Sequence, residues 1–350
     1  MNKGIALVIT SGLLITVLGL GVMGYQVAHD VVDPSSDKVT IITVARGSKP
    51  SEIIKKLEQE KIIRNSERFF WVGRVLGYWG RLKAGEYQVT PRMSSMDILG
   101  VLTSGISVMR ILTIPEGDNM YQVAEKIEAK GLATAKQVLS LCKSPQFMRQ
   151  LGFKDPLPAT LEGYLYPNTY FFNREVSLEQ LLSQMVKTFR SKWEPSFDKR
   201  AQELGLTPYE ILVLASMIEK ETGAPSERPM ISSVFYNRFA KKMRLQSDPT
   251  TIYGMWESYT GNIHKSDLLR PSPYNTYTIP KLPIGPIANP GIEAIKAALY
   301  PAQSEFLFFV SHNDGTHEFT KSLKDHQNAV NKFQVDAKAR EGKSWRDLKK

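Results

Sequence analysis

The sequence predicts an α+β protein, with strands and helices interspersed along most of its 350 residues. Three observations support this class. A strand–turn–helix pattern occurs twice at an offset of 70 residues, a capped apolar helix spans residues 207–222, and a hairpin with an Asp-Gly turn spans residues 306–319. Apolar residues therefore recur with the period of 2 that is typical of strands in some segments and with the period of 3.6 that is typical of helices in others.

Residues 1–25 predict a membrane-spanning signal anchor with a short cytoplasmic tip. Residues 4–24 carry no charge, and an apolar stretch of about 20 residues is long enough to cross a bilayer. Lys3 precedes this stretch and Asp33 follows it, which predicts a cytoplasmic N-terminus and an exported remainder. A cleaved signal peptide is the alternative, but no good small-x-small cleavage site follows the stretch. Residues 26–38 are predicted to be a polar linker.

Residues 39–105 predict a small module of strand and helices, and residues 109–150 repeat its first part. Val39–Gly47 and Met109–Gly117 align as alternating β-branched strands that end in a glycine turn, and an amphipathic helix follows each. Modules of this kind resemble LysM domains, which bind N-acetylglucosamine polymers. Glycan binding and a spacing role both fit the pattern.

Further elements are predicted between and after the two copies. Ala84–Thr90 has the pattern of a strand, and Ser94–Leu102 has that of a short capped helix. Residues 137–201 are mostly helical by pattern, but Thr160–Phe172 interrupts them and packs five aromatic residues into Tyr164–Phe172. Such a block suits a sugar-binding cleft or a buried strand, and the buried strand is favoured.

Residues 207–222 carry the signals of a complete helix. Thr207 and Glu210 predict a capping box, Pro208 suits the first helical position, and Gly223 suits the C-terminal stop. The eight residues after Glu210 are uncharged and apolar on nearly all sides, so the helix is expected to be buried.

The last turn of this helix carries two glutamates, Glu219 and Glu221, where the helix dipole favours cations. At about 100° per residue, Glu219 shares a face with Leu212, Ala215 and Ser216, while Glu221 points to the other side. An acid on an apolar face at a helix C-terminus is expected to have a raised pKa, as a general acid near neutral pH requires. Two solvated glutamates at a frayed helix end are the alternative.

The C-terminal third is predicted to be long and irregular before it ends in a hairpin and a helix. Asp248–Pro301 is rich in proline and glycine, and long ordered loops tend to carry function. Phe306–Ser311 and His317–Phe319 predict a β-hairpin, and Leu323–Phe333 predicts a closing amphipathic helix. The basic tail, residues 338–350, is predicted to be solvated or to rest near the membrane.

The composition and the missing motifs exclude several classes of function. A formal net charge of +10 suits an anionic partner, and the predicted export argues against nucleic acid. The single cysteine, Cys142, excludes an internal disulfide and is predicted to be a buried thiol. Walker, dinucleotide-binding and Gly-x-Ser-x-Gly motifs are missing. In the predicted hairpin His312 and His317 can oppose each other, but structural hydrogen bonding is favoured over a metal site. No metal or cofactor is predicted, and acid catalysis on a neutral or anionic polymer remains.

Six sequence motifs occur in order along the chain: Glu162–Pro167, Ala215–Thr222, Met243–Gly254, Tyr274–Tyr277, Ala288–Gly291 and His317–Thr320. Together they closely resemble the motifs of the YceG-like (MltG) endolytic murein transglycosylases. The resemblance extends from the predicted anchor to about residue 335. Asn289 departs from the family pattern, in which threonine is frequent at this position.

The resemblance implies an inner-membrane protein whose periplasmic catalytic domain, residues 106–337, cleaves glycan strands internally. It implies that Glu219 is the catalytic acid, which protonates the oxygen between N-acetylmuramic acid and N-acetylglucosamine. The resulting carboxylate then takes the proton of the muramic C6 hydroxyl, which closes on C1 as a 1,6-anhydro ring. Because the sugar supplies the nucleophile, no second carboxylate is needed, unlike in most glycosidases. Such cuts would terminate growing strands, with peptidoglycan synthases (penicillin-binding proteins) as expected partners.

Further site residues follow from the same resemblance. The substrate-binding candidates are Gln246, Asn275 and Tyr277, with Tyr166 and Tyr253 as stacking candidates. The supporting candidates are Glu221, Asp248, Ser216 and Glu162. A turn, loop or core role is the alternative for each of them. Two other functions stay open, namely a hydrolytic muramidase and a non-catalytic peptidoglycan-binding scaffold that recruits synthases.

Overall fold

The computed structural model has an α+β architecture and describes residues 25–26 and 28–335. This part of the chain divides into two compact units. The first unit comprises the chain up to Ile111 together with Phe171–Val176. The second unit comprises Leu112–Tyr170 together with the chain from Ser177 onward.

The predicted anchor and tail fall outside this description. Apart from Tyr25, residues 1–25 are not among the described residues, and neither are residues 338–350. Within the described part of the chain, no helix is both long and apolar enough to cross a membrane. From Asp30 onward, the predicted linker, residues 26–38, has no helix or strand.

The first unit is built on two antiparallel strands with two helices between them. Strand β1 pairs with strand β2 so that Thr40 lies opposite Val89 and Val44 lies opposite Gly85. The elements are β1 Thr40–Val44, α1 Pro50–Gln59, α2 Ser66–Val75, a 3-10 turn at Trp79–Arg81, β2 Gly85–Val89 and α3 Ser95–Ser104. The predicted second strand and the helix capped by Ser94 are both confirmed.

Alternation along the strands builds the core of this unit. Ile42 and Val44 are buried, whereas Ile41 between them is half exposed, as expected for a strand with one buried face. Helix α1 adds Ile53 and Leu57, which lie one turn apart on its buried face.

Helices predominate in the rest of the chain. From residue 110 onward the elements are β3 Arg110–Thr113, α4 Met120–Ala129, α5 Ala135–Cys142, α6 Pro145–Gln150, β4 Thr169–Phe172, α7 Leu178–Lys192, α8 Pro195–Glu203, α9 Pro208–Glu221, α10 Arg228–Ala240, α11 Asp248–Gly254, α12 Lys265–Leu269, α13 Ile292–Leu299, β5 Phe308–Ser311, β6 His317–Thr320 and α14 Leu323–Val330. Short 3-10 turns occur at Pro225–Glu227 and Trp256–Ser258, and a π-helical turn at Asn331–Val335 extends α14. Strand β3 pairs with β4, and β5 pairs with β6.

The predicted repeat is confirmed at the level of secondary structure. Strand β3 begins 70 positions after β1, and α4 begins 70 positions after α1. Gly47 and Gly117 lie between strand and helix in the two copies, with φ of 77° and 81°. Both turns therefore use the left-handed conformation that glycine adopts at little cost.

Helix α9 lies at the centre of the second unit's core. All eight residues from Ile211 to Ile218 are buried, and α13 packs against them through Ile295, Ala298 and Leu299. The prediction that Asp248–Pro301 is irregular throughout is therefore wrong at α11, α12 and α13. The apolar face of α13 is short and lies between proline-rich segments, so its periodicity is weak in the sequence.

The aromatic block proves to be mainly core. Tyr166, Tyr170 and Phe172 are buried, whereas Phe171 is exposed. The Tyr170 hydroxyl donates to the Tyr166 carbonyl at 2.6 Å, which satisfies the polar end of a buried ring. The favoured prediction of a buried strand is confirmed by β4.

The predicted hairpin is also confirmed, but its histidines do not face each other. Ser311 pairs with His317, and the His312 amide donates to the Thr316 carbonyl at 2.9 Å. His312 therefore lies in the loop, where its ring bonds to Thr316 and Glu318. The closing helix is confirmed as α14 and its π-helical extension.

Candidate active site

Local sequence signals position helix α9, which carries both candidate acids. The Thr207 hydroxyl accepts a bond from the Glu210 amide at 3.2 Å, and the Glu210 carboxylate accepts one from the Thr207 amide at 2.8 Å. This is the predicted capping box. With the apolar stretch buried behind it, the last turn presents Glu219 and Glu221 on different sides.

The end of α9 differs from the expectation. The helix ends at Glu221, Thr222 is extended, and Gly223 does not adopt the left-handed conformation of a helix stop. A Cβ atom on Gly223 would lie 2.4 Å from the Gly315 carbonyl oxygen in the β5–β6 loop. Glycine is needed here because two chain segments pass in contact, which a local pattern does not reveal.

Glu219 is buried, with 6% of its side chain exposed, but its immediate partners are polar. Its Oε1 accepts a bond from the Arg228 guanidinium at 3.0 Å, and its Oε2 accepts one from the Gly291 amide at 3.1 Å. A cation and an amide N–H are both donors that suit a carboxylate. Arg228 comes from α10, so the apolar surroundings expected for Glu219 are replaced by a tertiary ion pair.

Glu221 faces a cavity of about 430 Å³. The cavity is lined by Glu221, Phe235, Arg238, Leu245, Gln246, Ser247, Asp248, Tyr277, Phe308, Phe309, Ser311, His317, Leu323 and His326. Four residues predicted from the sequence meet here, namely Glu221, Gln246, Asp248 and Tyr277. Glu219 is not part of this lining.

Glu221 is half-buried, and burial raises its pKa to about 7. The hydrogen bond from the Ser247 hydroxyl, at 2.5 Å, acts in the opposite direction, while the negative charge of Asp248 raises the pKa further. The cations Arg238 and Lys220 lower it. A carboxyl group with a pKa near neutrality can both hold and release a proton at physiological pH.

Gln246 is held in an unusual conformation at the cavity wall. Its φ is 53°, which is uncommon for a residue other than glycine. Its side-chain oxygen accepts a bond from the Arg238 guanidinium at 3.3 Å, and Arg238 is held in turn by the Leu245 and Leu307 carbonyls. Because arginine only donates, the oxygen of Gln246 must face it, which leaves the NH2 group available to a ligand.

Tyr277 and Asp248 form a second pair at this cavity. The Tyr277 hydroxyl donates to the Asp248 carboxylate at 2.6 Å. Burial, followed by this hydrogen bond, raises the pKa of Tyr277, so the phenol stays protonated at neutral pH.

Two other substrate-binding candidates belong to a different cavity of about 400 Å³, which Tyr253 and Asn275 help to line. The Asn275 oxygen accepts bonds from the Thr251 hydroxyl and the Tyr277 amide. The Asn275 NH2 group donates to three backbone carbonyls of residues 267–270. Both ends of this amide therefore hold the protein's own loops together.

The remaining candidates stabilise the interior. Glu162 is buried and accepts bonds from the Met120 amide, the Tyr253 hydroxyl and the Asn289 NH2 group, and burial raises its pKa to about 7. Ser216 is also buried, where it donates to the Val213 carbonyl and accepts from the Ile287 amide. Tyr166 belongs to the hydrophobic core.

Several residues at the cavity were not predicted. Arg238 and Ser247 contact the predicted site residues directly, and His317 lines the cavity while it is bonded to Glu227. Ser247 and His317 lie within the sequence motifs described above, so these motifs could have identified both residues as site candidates. Arg238 and Glu227 carry no such signal, because only tertiary packing brings them to the site.

The described residues contain no group of three histidine, cysteine, aspartate or glutamate side chains placed to hold a metal ion. Cys142 is a buried free thiol, and burial raises its pKa, so it is a poor nucleophile.

Comparison with known proteins gives consistent matches. A sequence profile of the YceG-like family matches residues 42–332. The endolytic murein transglycosylase of Bacillus subtilis (strain 168) is 34% identical over 315 residues, which cover 86% of this chain and 87% of that protein. The endolytic murein transglycosylase of Streptococcus pneumoniae serotype 2 (strain D39) is 30% identical over 342 residues, covering 89% of this chain but 62% of that protein. A crystal structure of a YceG-like protein from Listeria monocytogenes matches with a TM-score of 0.58 and 33% identity, covering 83% of this chain and 99% of that chain.

Proposed function

Because the chain belongs to the YceG-like family, we propose that it is an endolytic murein transglycosylase. It cleaves the bond between N-acetylmuramic acid and N-acetylglucosamine inside a glycan strand and leaves a 1,6-anhydro end. The observation that carries this proposal is the cavity beside the last turn of α9, where a carboxyl group of raised pKa meets amide, phenol and imidazole side chains. The names of the relatives support the same activity.

The geometry favours Glu221 as the proton donor. Its carboxyl group lines the cavity, and its pKa of about 7 leaves a large protonated fraction at neutral pH. Glu219, the acid predicted from the sequence, accepts bonds from Arg228 and Gly291. Glu219 as the acid stays a prediction, and the ion pair with Arg228 suits a role in fixing the end of α9.

The reaction then proceeds without an activated water. Protonated Glu221 gives its proton to the glycosidic oxygen as the bond to C1 of the muramic residue breaks. The C6 hydroxyl of the same residue attacks C1 and passes its proton to the resulting Glu221 carboxylate, which closes the anhydro ring and restores the acid. Positive charge develops on the sugar at C1, and the Asp248 carboxylate lines the same cavity as a negative group. The NH2 group of Gln246 and the hydroxyl of Tyr277 are placed to bind acetamido or hydroxyl groups of the strand.

A pair of variants tests the assignment of the acid. Purified full-length protein with Glu221→Gln or Glu219→Gln is incubated with uncrosslinked glycan strands, and the products are weighed by mass spectrometry. We expect Glu221→Gln to lose activity by about 100-fold or more, because a positioned general acid contributes on that scale. Residual activity of Glu221→Gln close to wild type, with loss in Glu219→Gln, would assign the acid to Glu219 instead.

The same products separate the other functions. Anhydro ends support a transglycosylase, whereas reducing ends would indicate a hydrolytic muramidase. A protein that binds sacculi but cleaves no strand, in wild type as in the variants, would be a scaffold.

The membrane anchor, the periplasmic location and the action on nascent strands belong to this proposal. Residues 4–24 are uncharged and long enough to span a bilayer. Protease added outside spheroplasts should remove the catalytic domain and leave an N-terminal tag protected; a protected catalytic domain would contradict the topology. Peptidoglycan synthases are the proposed partners, and site-specific crosslinking in cells would detect them.

The first unit is proposed to be a LysM-like glycan-binding module. Its order of strand, helix, helix and strand supports this, as does the antiparallel pairing of β1 with β2. Sedimentation of the Glu221→Gln variant with purified sacculi tests it. Release by soluble N-acetylglucosamine oligomers is the expected result, and binding unaffected by them would argue for a spacing role.

A further inference from the structure

The segment between the proposed membrane anchor and the first strand is attached to the first unit. Ala28 is buried and belongs to the hydrophobic core of this unit. The Arg64 guanidinium, in the loop between α1 and α2, donates to the Val31 and Val32 carbonyls at 2.8 and 3.0 Å. The same guanidinium lies 3.7 Å from the Asp30 carboxylate. This stretch of the predicted linker is therefore held against the first unit and is not a free tether.

This attachment leaves little distance between the first unit and the bilayer. As a helix, the proposed anchor, residues 4–24, would span about 31 Å, which matches a hydrocarbon core of about 30 Å. From Gly24 to the buried Ala28 a fully extended chain reaches about 14 Å. The His29 amide donates to the Tyr25 carbonyl at 3.1 Å, which makes a helical turn and shortens this reach. Because the polar headgroup layer is about 5–8 Å thick, part of the first unit must lie at the headgroups when the anchor is in the membrane.

Helix α2 begins beside the point where the chain enters the first unit. Asp30 and Arg68, in the first turn of α2, line the same small cleft. Arg68, Trp71 and Val75 recur at positions i, i+3 and i+7 of the helix, so they share one face, which we call the outer face of α2. On its other side the helix buries Phe69 in the core. The outer face of α2 therefore starts close to the place where the anchor would arrive.

The outer face of α2 exposes large apolar side chains next to cations. Trp71 is 53% exposed and Val75 is 78% exposed, and Leu76, directly after the helix, is exposed as well. The Arg74 guanidinium lies over the Trp71 ring, 5.9 Å from its centroid. Tryptophan is enriched at the boundary between headgroups and hydrocarbon, because its ring is apolar and its N–H is polar. Exposed apolar side chains bordered by arginines are typical of a shallow contact with a lipid surface.

The charge around this face suits anionic headgroups. Residues 61–83, which contain α2, carry one anion, Glu67, against six cations. The cations are Lys61, Arg64, Arg68, Arg74, Arg81 and Lys83, of which Arg64 is paired with Asp30. Residues 39–60, which contain β1 and α1, carry four cations against three anions. The excess of positive charge is therefore concentrated at α2 and the turns beside it. Near an anionic lipid surface, each such cation strengthens binding about fivefold.

We propose that the outer face of α2 docks on the membrane surface. Trp71, Val75 and Leu76 lie at the boundary between headgroups and hydrocarbon, while Arg68 and Arg74 bind anionic lipid headgroups. The proposal rests on the proposed membrane anchor, which brings the first unit to the bilayer and leaves too little chain for the unit to move away. Docking would keep the proposed glycan-binding unit at the bilayer, where it meets strands close to the membrane rather than strands deep in the wall.

The first test uses the full-length protein in nanodiscs that contain phosphatidylglycerol and a spin-labelled phospholipid. Because Cys142 is a buried thiol, a fluorophore can be attached selectively to an introduced cysteine. In Val75→Cys the lipid should quench the fluorophore, since a docked face lies within about 5–10 Å of the boundary between headgroups and acyl chains. The matched control Ile41→Cys replaces another half-exposed apolar residue, on the face of β1 that points away from the core, and should stay unquenched. Quenching at position 41 that equals or exceeds that at position 75 would overturn the proposal.

The second test concerns the arginines. Arg68→Gln combined with Arg74→Gln, with the fluorophore at position 75, should lower the ratio of docked to free first unit about 30-fold, or about fivefold for each arginine. The control, Lys55→Gln combined with Lys56→Gln, removes the same charge from exposed positions of α1. It should change the ratio by less than about threefold, because α1 is not part of the docked face. Equal losses in the two double variants would mean that only the total charge matters, which would overturn docking through α2.

The remaining outcomes separate docking from the proposals on which it depends. If the nanodiscs do not retain the full-length chain, the anchor itself fails, and docking fails with it. If the chain is retained but the fluorophore at position 75 stays unquenched, the anchor stands and docking alone is overturned. If Arg68→Gln with Arg74→Gln loses sedimentation with sacculi while its quenching is unchanged, the outer face of α2 binds glycan and not lipid.

Discussion

Removal of the Ser247 hydroxyl should displace the pH profile of the enzyme towards alkaline pH. The Ser247 hydroxyl donates to Glu221 at 2.5 Å, and this is the contact that most strongly favours the carboxylate form of Glu221. Ser247 stands at the N-terminal boundary of α11, but its side chain caps no helix amide. Ser247→Ala therefore removes one bond to Glu221 without uncapping a helix.

The size of the displacement follows from the strength of that bond. A hydrogen bond to a charged group contributes about 1.5–3 kcal/mol, which corresponds to about 1–2 pKa units at 1.36 kcal/mol per unit. The Glu221 side chain lines the cavity, so solvent there replaces part of the lost bond and a displacement of about one unit is expected. The sign is upward, because the bond favours the carboxylate and its loss favours the protonated acid.

The assay is the initial rate of glycan cleavage between about pH 5 and pH 9, where a general acid must be protonated to act. The wild-type rate should fall as pH rises through about 7, the pKa of Glu221. In Ser247→Ala the midpoint of this fall should move up by about one pH unit. Ser196→Ala is a suitable control. The Ser196 hydroxyl is also bonded to a glutamate, the exposed Glu194, but both residues are distant in the sequence from the residues that line the cavity, and neither lines it. A midpoint that stays in place or moves down in Ser247→Ala would refute Glu221 as the group that titrates.

Three further predictions concern residues that support the site through chain contacts, hydrogen bonds and core packing. In Gly223→Ala the added Cβ atom should displace the hairpin loop at Gly315 and lower kcat. The free energy of unfolding, measured by denaturant unfolding, should fall by about 1–3 kcal/mol. The control Gly100→Ala, in α3 with open space around its Cα, should raise stability by about 0.5–1 kcal/mol, and equal behaviour of the two variants would contradict the contact. Glu162→Gln places an NH2 group against three hydrogen-bond donors, so the free energy of unfolding at pH 8 should fall by about 2–3 kcal/mol, measured by thermal unfolding. An unchanged melting temperature would disprove the role of the carboxylate as an acceptor. Ile295→Ala leaves a cavity between α13 and α9 and should cost about 2–5 kcal/mol in the same measurement, whereas a cost below about 1 kcal/mol would contradict the packing.

Local sequence signals were sufficient wherever the determining contacts are local. The start of α9 follows from Thr207, Pro208 and Glu210, whose interactions span only a few residues. The strand–turn–helix repeat and the hairpin were predictable for the same reason, because period and turn chemistry are encoded in short segments. The motifs also led to the correct family, and four of the predicted site residues do meet at one cavity.

Only the tertiary structure decided how the two glutamates of α9 differ. Glu221 meets Ser247, 26 residues further along the chain, while Glu219 meets Arg228 of the next helix and the amide of Gly291. Glu227 and His317, 90 residues apart, form a hydrogen-bonded pair, and no sequence pattern signals Glu227. The sequence by itself determined the elements that have strong local signals and that acids stand at the end of α9. The pKa, the partner and the cavity of each acid depend on desolvation and on charges brought by distant segments, and these exist only once the chain has packed.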